Sequence, residues 1–151
     1  MAVDPAHLSP KALARACADA MFATDNASRG LGMRIIAIGP GTATLQMRVE
    51  PHMTNGHGIC HGGFIFTLAD SAFAFACNSH NERTVAQHGA ISFIVAGALG
   101  DELSAHATER QRAGRSGIYD VSVTRADGTI IAEFRGLSRT IGGALLDAAK
   151  A

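Results

Sequence analysis

The chain has 151 residues, 47% of them hydrophobic, and 13 basic against 13 acidic side chains for a formal charge of zero. That is enough length to bury one ordinary core, so a single domain spanning 1–151 is the expectation. A charge of zero excludes the long-range positive field of a nucleic-acid binder or a polybasic membrane anchor, so any charged ligand must be met locally.

In chain order, Ser9 followed by Pro10 reads as an N-cap and first helical position, and Leu8, Leu13, Ala16, Cys17, Ala20 and Met21 recur at helical spacing. A short amphipathic helix is predicted over residues 10 to 23. The start of the chain lacks the basic opening and continuous apolar core of a secretory signal. Three cysteines, Cys17, Cys60 and Cys77, form no paired spacing, which points to a reducing compartment, and a cytoplasmic location is expected.

The period then changes. Ala43, Leu45, Met47 and Val49 alternate with polar neighbours after the turn residues "GPG" at 39 to 41, which predicts a hairpin. Residues 51 to 61 form a loop rich in glycine and histidine, and an apolar helix follows from Gly62 to Cys77. Its sixteen residues fall short of the roughly 20 that cross a bilayer, and Asp70 near its middle would be costly there.

Four strand candidates succeed it: "TVAQHGAISFIV", "LSAHATERQR", "GIYDVSVTR" and "TIIAEFRGLSRTI", the last two joined by a turn at Asp127-Gly128. Only the tail "GGALLDAAKA" is expected to fray. Hairpin-linked strands and one helix apolar on nearly every side predict an α+β fold, an antiparallel sheet wrapped around that helix.

Two features of the helix raise chemistry. Gly62 and Gly63 stand at its start, where the first amides lack internal acceptors and face the positive end of the dipole. They either form the loop-to-helix corner or open the bare backbone to an oxygen carrying developing negative charge. Asp70 is the one carboxylate of the segment, so it is either paired in the core or held for chemistry. On a single helix Gly62 and Asp70 are eight residues apart, roughly 12 Å along the axis. Both can act on one carbon only if two copies of the helix lie antiparallel, so the chemistry predicts a homodimer with shared active sites.

The stretches "NGHGICHGGFIFTLADSAFAFACNS", "GIYDVSV" and "FRGLSRTIGG" resemble the hotdog-fold thioesterases, specifically the phenylacetic-acid-degradation subfamily, over a core from about 31 to 143. The resemblance implies a sheet around a central helix, dimers that pair into a homotetramer, and hydrolysis of acyl-CoA thioesters such as phenylacetyl-CoA or its ring-hydroxylated relatives. It makes Asp70 the catalytic carboxylate, as nucleophile or as general base on water, and Gly62 the backbone amide that polarises the thioester carbonyl. Asn55 and His61 fall on the motif positions that line the site from the facing subunit's loop. No metal or organic cofactor is implied. One departure is that "FIVAG" carries Val95 and Ala96 where relatives often have arginine and proline.

CoA phosphates call for positive charge, and Arg110, Arg112 and Arg115 cluster at a strand junction, with Arg115 the leading candidate. Other readings are weaker. His52, His57, Cys60 and His61 match no standard zinc spacing, and Cys60 adjoins His61 in sequence rather than facing it, as a thiol nucleophile would need. An acyl-CoA hydratase on the same fold would need an aspartate and histidine joined around a proline, but the next histidine after Asp70 is His80 and no proline intervenes. A non-catalytic acyl-CoA binder would gain nothing from an unpaired buried acid.

Overall fold

The computed structural model describes residues 3–147. Its elements are α1 (Pro10–Phe22), α2 (Asn26–Gly30), β1 (Arg34–Gly39), β2 (Thr42–Arg48), α3 (Gly62–Cys77), β3 (Thr84–Phe93), β4 (Glu102–Ala113), β5 (Ser116–Thr124) and β6 (Ile130–Thr140), with single 3₁₀ turns at Pro5–His7 and Pro51–Met53. The six strands form one antiparallel sheet in the order β1-β2-β4-β5-β6-β3. The expected α+β architecture, a sheet curled round one long helix with a short N-terminal helix, is the one observed.

Alternation places the core. Ala43, Leu45 and Met47 of β2, Leu103, Ala105 and Ala107 of β4, and Tyr119, Val121 and Val123 of β5 all point inward against α3. From α3 itself Leu68, Ala69, Ala72, Phe73 and Ala76 are buried without exposure. The Phe73 ring packs directly over residue 136, which must be glycine there: a Cβ would sit 2.8 Å from the ring.

The wrap is incomplete on one side. Gly63, Phe66, Thr67, Asp70, Ser71 and Ala74, spaced as one helical stripe, keep some exposure while most of the rest of α3 is buried. Alongside that stripe runs β3, hydrogen-bonded to β6 on one edge only. Its apolar side chains remain open, with Val85 45% and Phe93 54% exposed, and Ile94 just beyond at 62%. A ten-residue free edge with apolar side chains is a template for another strand.

One element was not predicted, and one expectation needs correction. Helix α2 is too short for its periodicity to be read, and it forms because the Asp25 side chain accepts the Ser28 amide at 2.9 Å. The start of the tail does not fray: the Asn81 Oδ1 accepts the amides of Leu145 at 3.1 Å and Leu146 at 2.8 Å, while its Nδ2 donates to the Leu146 carbonyl. The tail beyond 147 lies outside the described residues.

Candidate active site

The loop before α3 is tied down by its own side chains. Asn55 Oδ1 accepts the amides of His57 at 2.9 Å and Ile59 at 3.4 Å, and Gly58 makes the return with φ of 76°. Two N–H donors on one oxygen fix the orientation of the amide and leave Asn55 Nδ2 as its free donor. Farther along, Cys60 N–H donates to the Gly97 carbonyl and His61 N–H to that of Met53, both at 2.8 Å.

His61 is the N-cap of α3: its Nδ1 accepts the Gly63 amide at 2.9 Å. That bond assigns the tautomer, with Nδ1 bare and the proton on Nε2. The ring also stands edge-on to Phe64 at 6.2 Å. With Gly63 matched to His61, the Gly62 N–H is left at the helix start with no acceptor among the described residues.

Gly62 opens onto a cavity of about 340 Å³, walled by Asn55 and Cys60 on one side and by Phe93, Ile94 and Val95 on the other, with no charged residue in its lining. Phe93 bears directly on the glycine, since a Cβ at position 62 would lie 2.7 Å from its Cζ. The wall from Phe93 to Ala96 includes the two positions, Val95 and Ala96, where the sequence departs from the family pattern. Its place opposite Gly62 was not legible in the sequence, because it arrives from more than thirty residues away through strand pairing.

Asp70 is not in this cavity. It sits two turns along α3 on the partly exposed stripe, where burial raises its carboxyl above the usual range and no hydrogen bond or charge partner among the described residues offsets that. The alternative of a structurally paired core acid is therefore not what the fold contains. Burial likewise pushes the Cys60 thiol up to about 11 and the Cys77 thiol up to about 12, away from thiolate chemistry. Among the described residues no three histidine, cysteine or acidic side chains converge as metal ligands, and no helix is long and apolar enough to cross a membrane.

The arginines lie elsewhere. The β3 end at Phe93 borders the cavity, whereas Arg112 and Arg115 lie toward the opposite end of the sheet, where Thr84 pairs with Thr140, and Arg110 lies level with the middle of β3. Arg110 faces Asp120 at 3.5 Å, Arg112 faces Glu82 at 3.3 Å, and Arg115 donates from Nε to the Thr140 carbonyl at 3.1 Å. Within one chain, then, Asn55 and Gly62 line the cavity, His61 adjoins Gly62 as the helix cap without lining it, and Asp70 and the arginines stand apart.

The Thioesterase superfamily pattern matches residues 57–132. The Acyl-coenzyme A thioesterase PaaI of Escherichia coli is 41% identical over 128 residues, covering 85% of this chain and 91% of the relative. The solved structure of the E. coli PaaI protein from the phenylacetic acid degradation operon superposes with a TM-score of 0.89 at 40% identity, over 90% of this chain and 99% of that one. A mutant of the phenylacetic acid degradation protein PaaI from Thermus thermophilus gives a TM-score of 0.75 at 31% identity, over 78% and 100%. Sequence and fold together place the chain in the thioesterase superfamily, as a member with the hotdog fold.

Proposed function

We propose that this thioesterase hydrolyses acyl-CoA esters to the free acid and CoA, with phenylacetyl-CoA or a ring-hydroxylated relative as the preferred class. The observation that carries the reading is the pair of unmatched groups on α3: a bare amide at Gly62 beside an uncharged cavity, and an unpartnered carboxylate at Asp70. The likeness to a relative described as an acyl-CoA thioesterase supports the substrate class.

In this reading the thioester carbonyl oxygen accepts from Gly62 N–H, which meets the negative charge that develops there at the positive end of the helix. Asn55 Nδ2 and His61 Nε2 are two side-chain donors of the loop, suited to hold the ester or a water. Asp70 either takes a proton from the attacking water or attacks the carbonyl carbon itself, giving a mixed anhydride that water then opens; CoA leaves as the thiolate in both and becomes the thiol with a proton of the water consumed.

Because Asp70 and Gly62 are roughly 12 Å apart on one helix, the Asp70 that serves a given Gly62 belongs to a second copy. The exposed stripe of α3 and the free edge of β3 supply the surface for an antiparallel homodimer, and two such dimers form the homotetramer that the resemblance implies.

The test is release of free thiol from phenylacetyl-CoA by the purified protein, run beside short- and long-chain acyl-CoA esters. Thiol release above the buffer rate, fastest with the aryl ester, is expected. Binding of the ester without thiol release would refute catalysis and leave an acyl-CoA binding protein.

A further inference from the structure

We propose that Arg83, Arg115 and Arg139 form an anion site for the phosphates of CoA whose acyl end lies in the cavity of the neighbouring subunit; this rests on the shared-site reading above.

The cavity beside Gly62 has no cation in its lining, yet a CoA ester carries several negative charges that need partners outside it. The sequence directs attention to Arg110, Arg112 and Arg115, but the fold divides that cluster. Arg110 is matched to Asp120, which also accepts two bonds from Arg135, and Arg112 is matched to Glu82. Pairing with a carboxylate removes much of what these two offer a phosphate.

Three other arginine positions gather at the same end. Arg139 pairs through the ladder with Ser116 on one side and Val85 on the other, which sets it beside Arg115 and two residues from Arg83. Ile141 N–H donates to the Arg83 carbonyl at 2.8 Å, and Thr140 N–H to that of Arg115, also at 2.8 Å, so the three backbones are laced together. All three side chains are exposed, and none is within ion-pair distance of a carboxylate among the described residues. Arg115 commits only Nε, to the Thr140 carbonyl, and its two terminal nitrogens keep the forked geometry that phosphate oxygens accept.

Position selects the subunit served. Within one chain this corner and the cavity stand at opposite ends of β3, about 30 Å apart for ten residues of strand. When β3 edges of two copies pair antiparallel about their centres, the Arg83 end of one strand meets the Phe93 end of the other. Three unpaired cations then stand at the mouth of the partner's neutral cavity. The same chain would supply a site with both its Asp70 and its arginines.

The experiment measures binding of CoA and of pantetheine by calorimetry to the full-length protein and to a triple variant, Arg83→Gln, Arg115→Gln and Arg139→Gln, with Arg15→Gln as control. The triple variant is expected to bind CoA at least tenfold more weakly, to show a shallower salt dependence and to bind pantetheine as the unaltered protein does. Unchanged CoA affinity, equal weakening for pantetheine, or no CoA binding by the unaltered protein would each overturn the site. Thiol release is read separately, so a protein that binds CoA through these arginines but hydrolyses nothing contradicts the catalytic reading alone. Because Arg115 also ties down Thr140, the double variant Arg83→Gln, Arg139→Gln is run in parallel and is expected to show the same selective loss. Co-assembling the triple variant with Asp70→Asn places every intact Asp70 in a site without arginines, so all turnover is expected at raised KM. A wild-type KM for about half of the turnover in an equal mixture would put the arginines on the Gly62 subunit and contradict the assignment.

Discussion

The ring of Phe93 rests against the α-carbon of Gly62, so close that a Cβ on residue 62 would lie 2.7 Å from Cζ. One glycine therefore serves two needs, a helix start free of a side chain and a wall for the cavity. Two substitutions separate them. Gly62→Ala keeps the N–H and displaces the exposed end of the Phe93 ring. Gly62→Pro removes the N–H at a first helical position that tolerates proline, after a His61 already in the extended region with ψ of 133°. Gly62→Pro is expected to lower kcat by about 100-fold to 1,000-fold, the range for one lost oxyanion donor, with Gly62→Ala losing less. Equal losses from both variants would assign the effect to crowding and not to the amide.

His61 holds α3 through the 2.9 Å bond from Gly63 N–H to Nδ1. His61→Ala is expected to cost about 0.5–2 kcal/mol in urea unfolding, the usual worth of an N-cap, while His61→Asn restores an accepting oxygen and most of that stability. If the Nε2 proton orients water or ester, His61→Asn regains the fold without regaining turnover. Full turnover in His61→Asn would reduce the histidine to a cap.

Asp70 ties stability to activity. Its carboxyl is held above the ordinary value of 3.8 by burial, so the folded chain keeps this proton over a range of pH where the unfolded chain has lost it. Stability from this group is thus complete below 3.8 and declines as pH rises through the folded value. Asp70→Asn is expected to raise Tm at neutral pH, with the gain vanishing in acid, and to cut turnover at least 100-fold as loss of a positioned acid or base does. Turnover of the unaltered enzyme falls on the acid side with a midpoint above 3.8. A variant with near-normal turnover, or one less stable than the parent at neutral pH, contradicts this account of Asp70.

The elements that could be read from the sequence are those whose signals are local. The β2 alternation, the Ser9-Pro10 start of α1, the Asp127-Gly128 turn and the apolar run of α3 each carry their period or their turn chemistry within a few residues. The loop at 51–61 and the lone carboxylate of Asp70 could be picked out for the same reason, while the roles proposed for them come from the family resemblance. What stayed hidden depends on distant pairing. Nothing local says that β3 lies beside β6, so the wall of Phe93 and Ile94 over Gly62 could not be placed. Likewise Arg110 and Arg112 look like free charge until Asp120 and Glu82 arrive to match them. The capture of Leu145 and Leu146 by Asn81, itself in the left-handed region with φ of 60°, crosses more than sixty residues and leaves no mark on the tail.

The central claim is that each site takes Gly62 from one subunit and Asp70 from another. Co-assembling Gly62→Pro with Asp70→Asn, each expected to keep about 1% of wild-type turnover or less alone, tests it most directly. In a mixed dimer one of the two sites receives an intact Gly62 and an intact Asp70, so random pairing of equal amounts is expected to restore about a quarter of wild-type thiol release. A mixture no more active than its two parents would contradict the shared site.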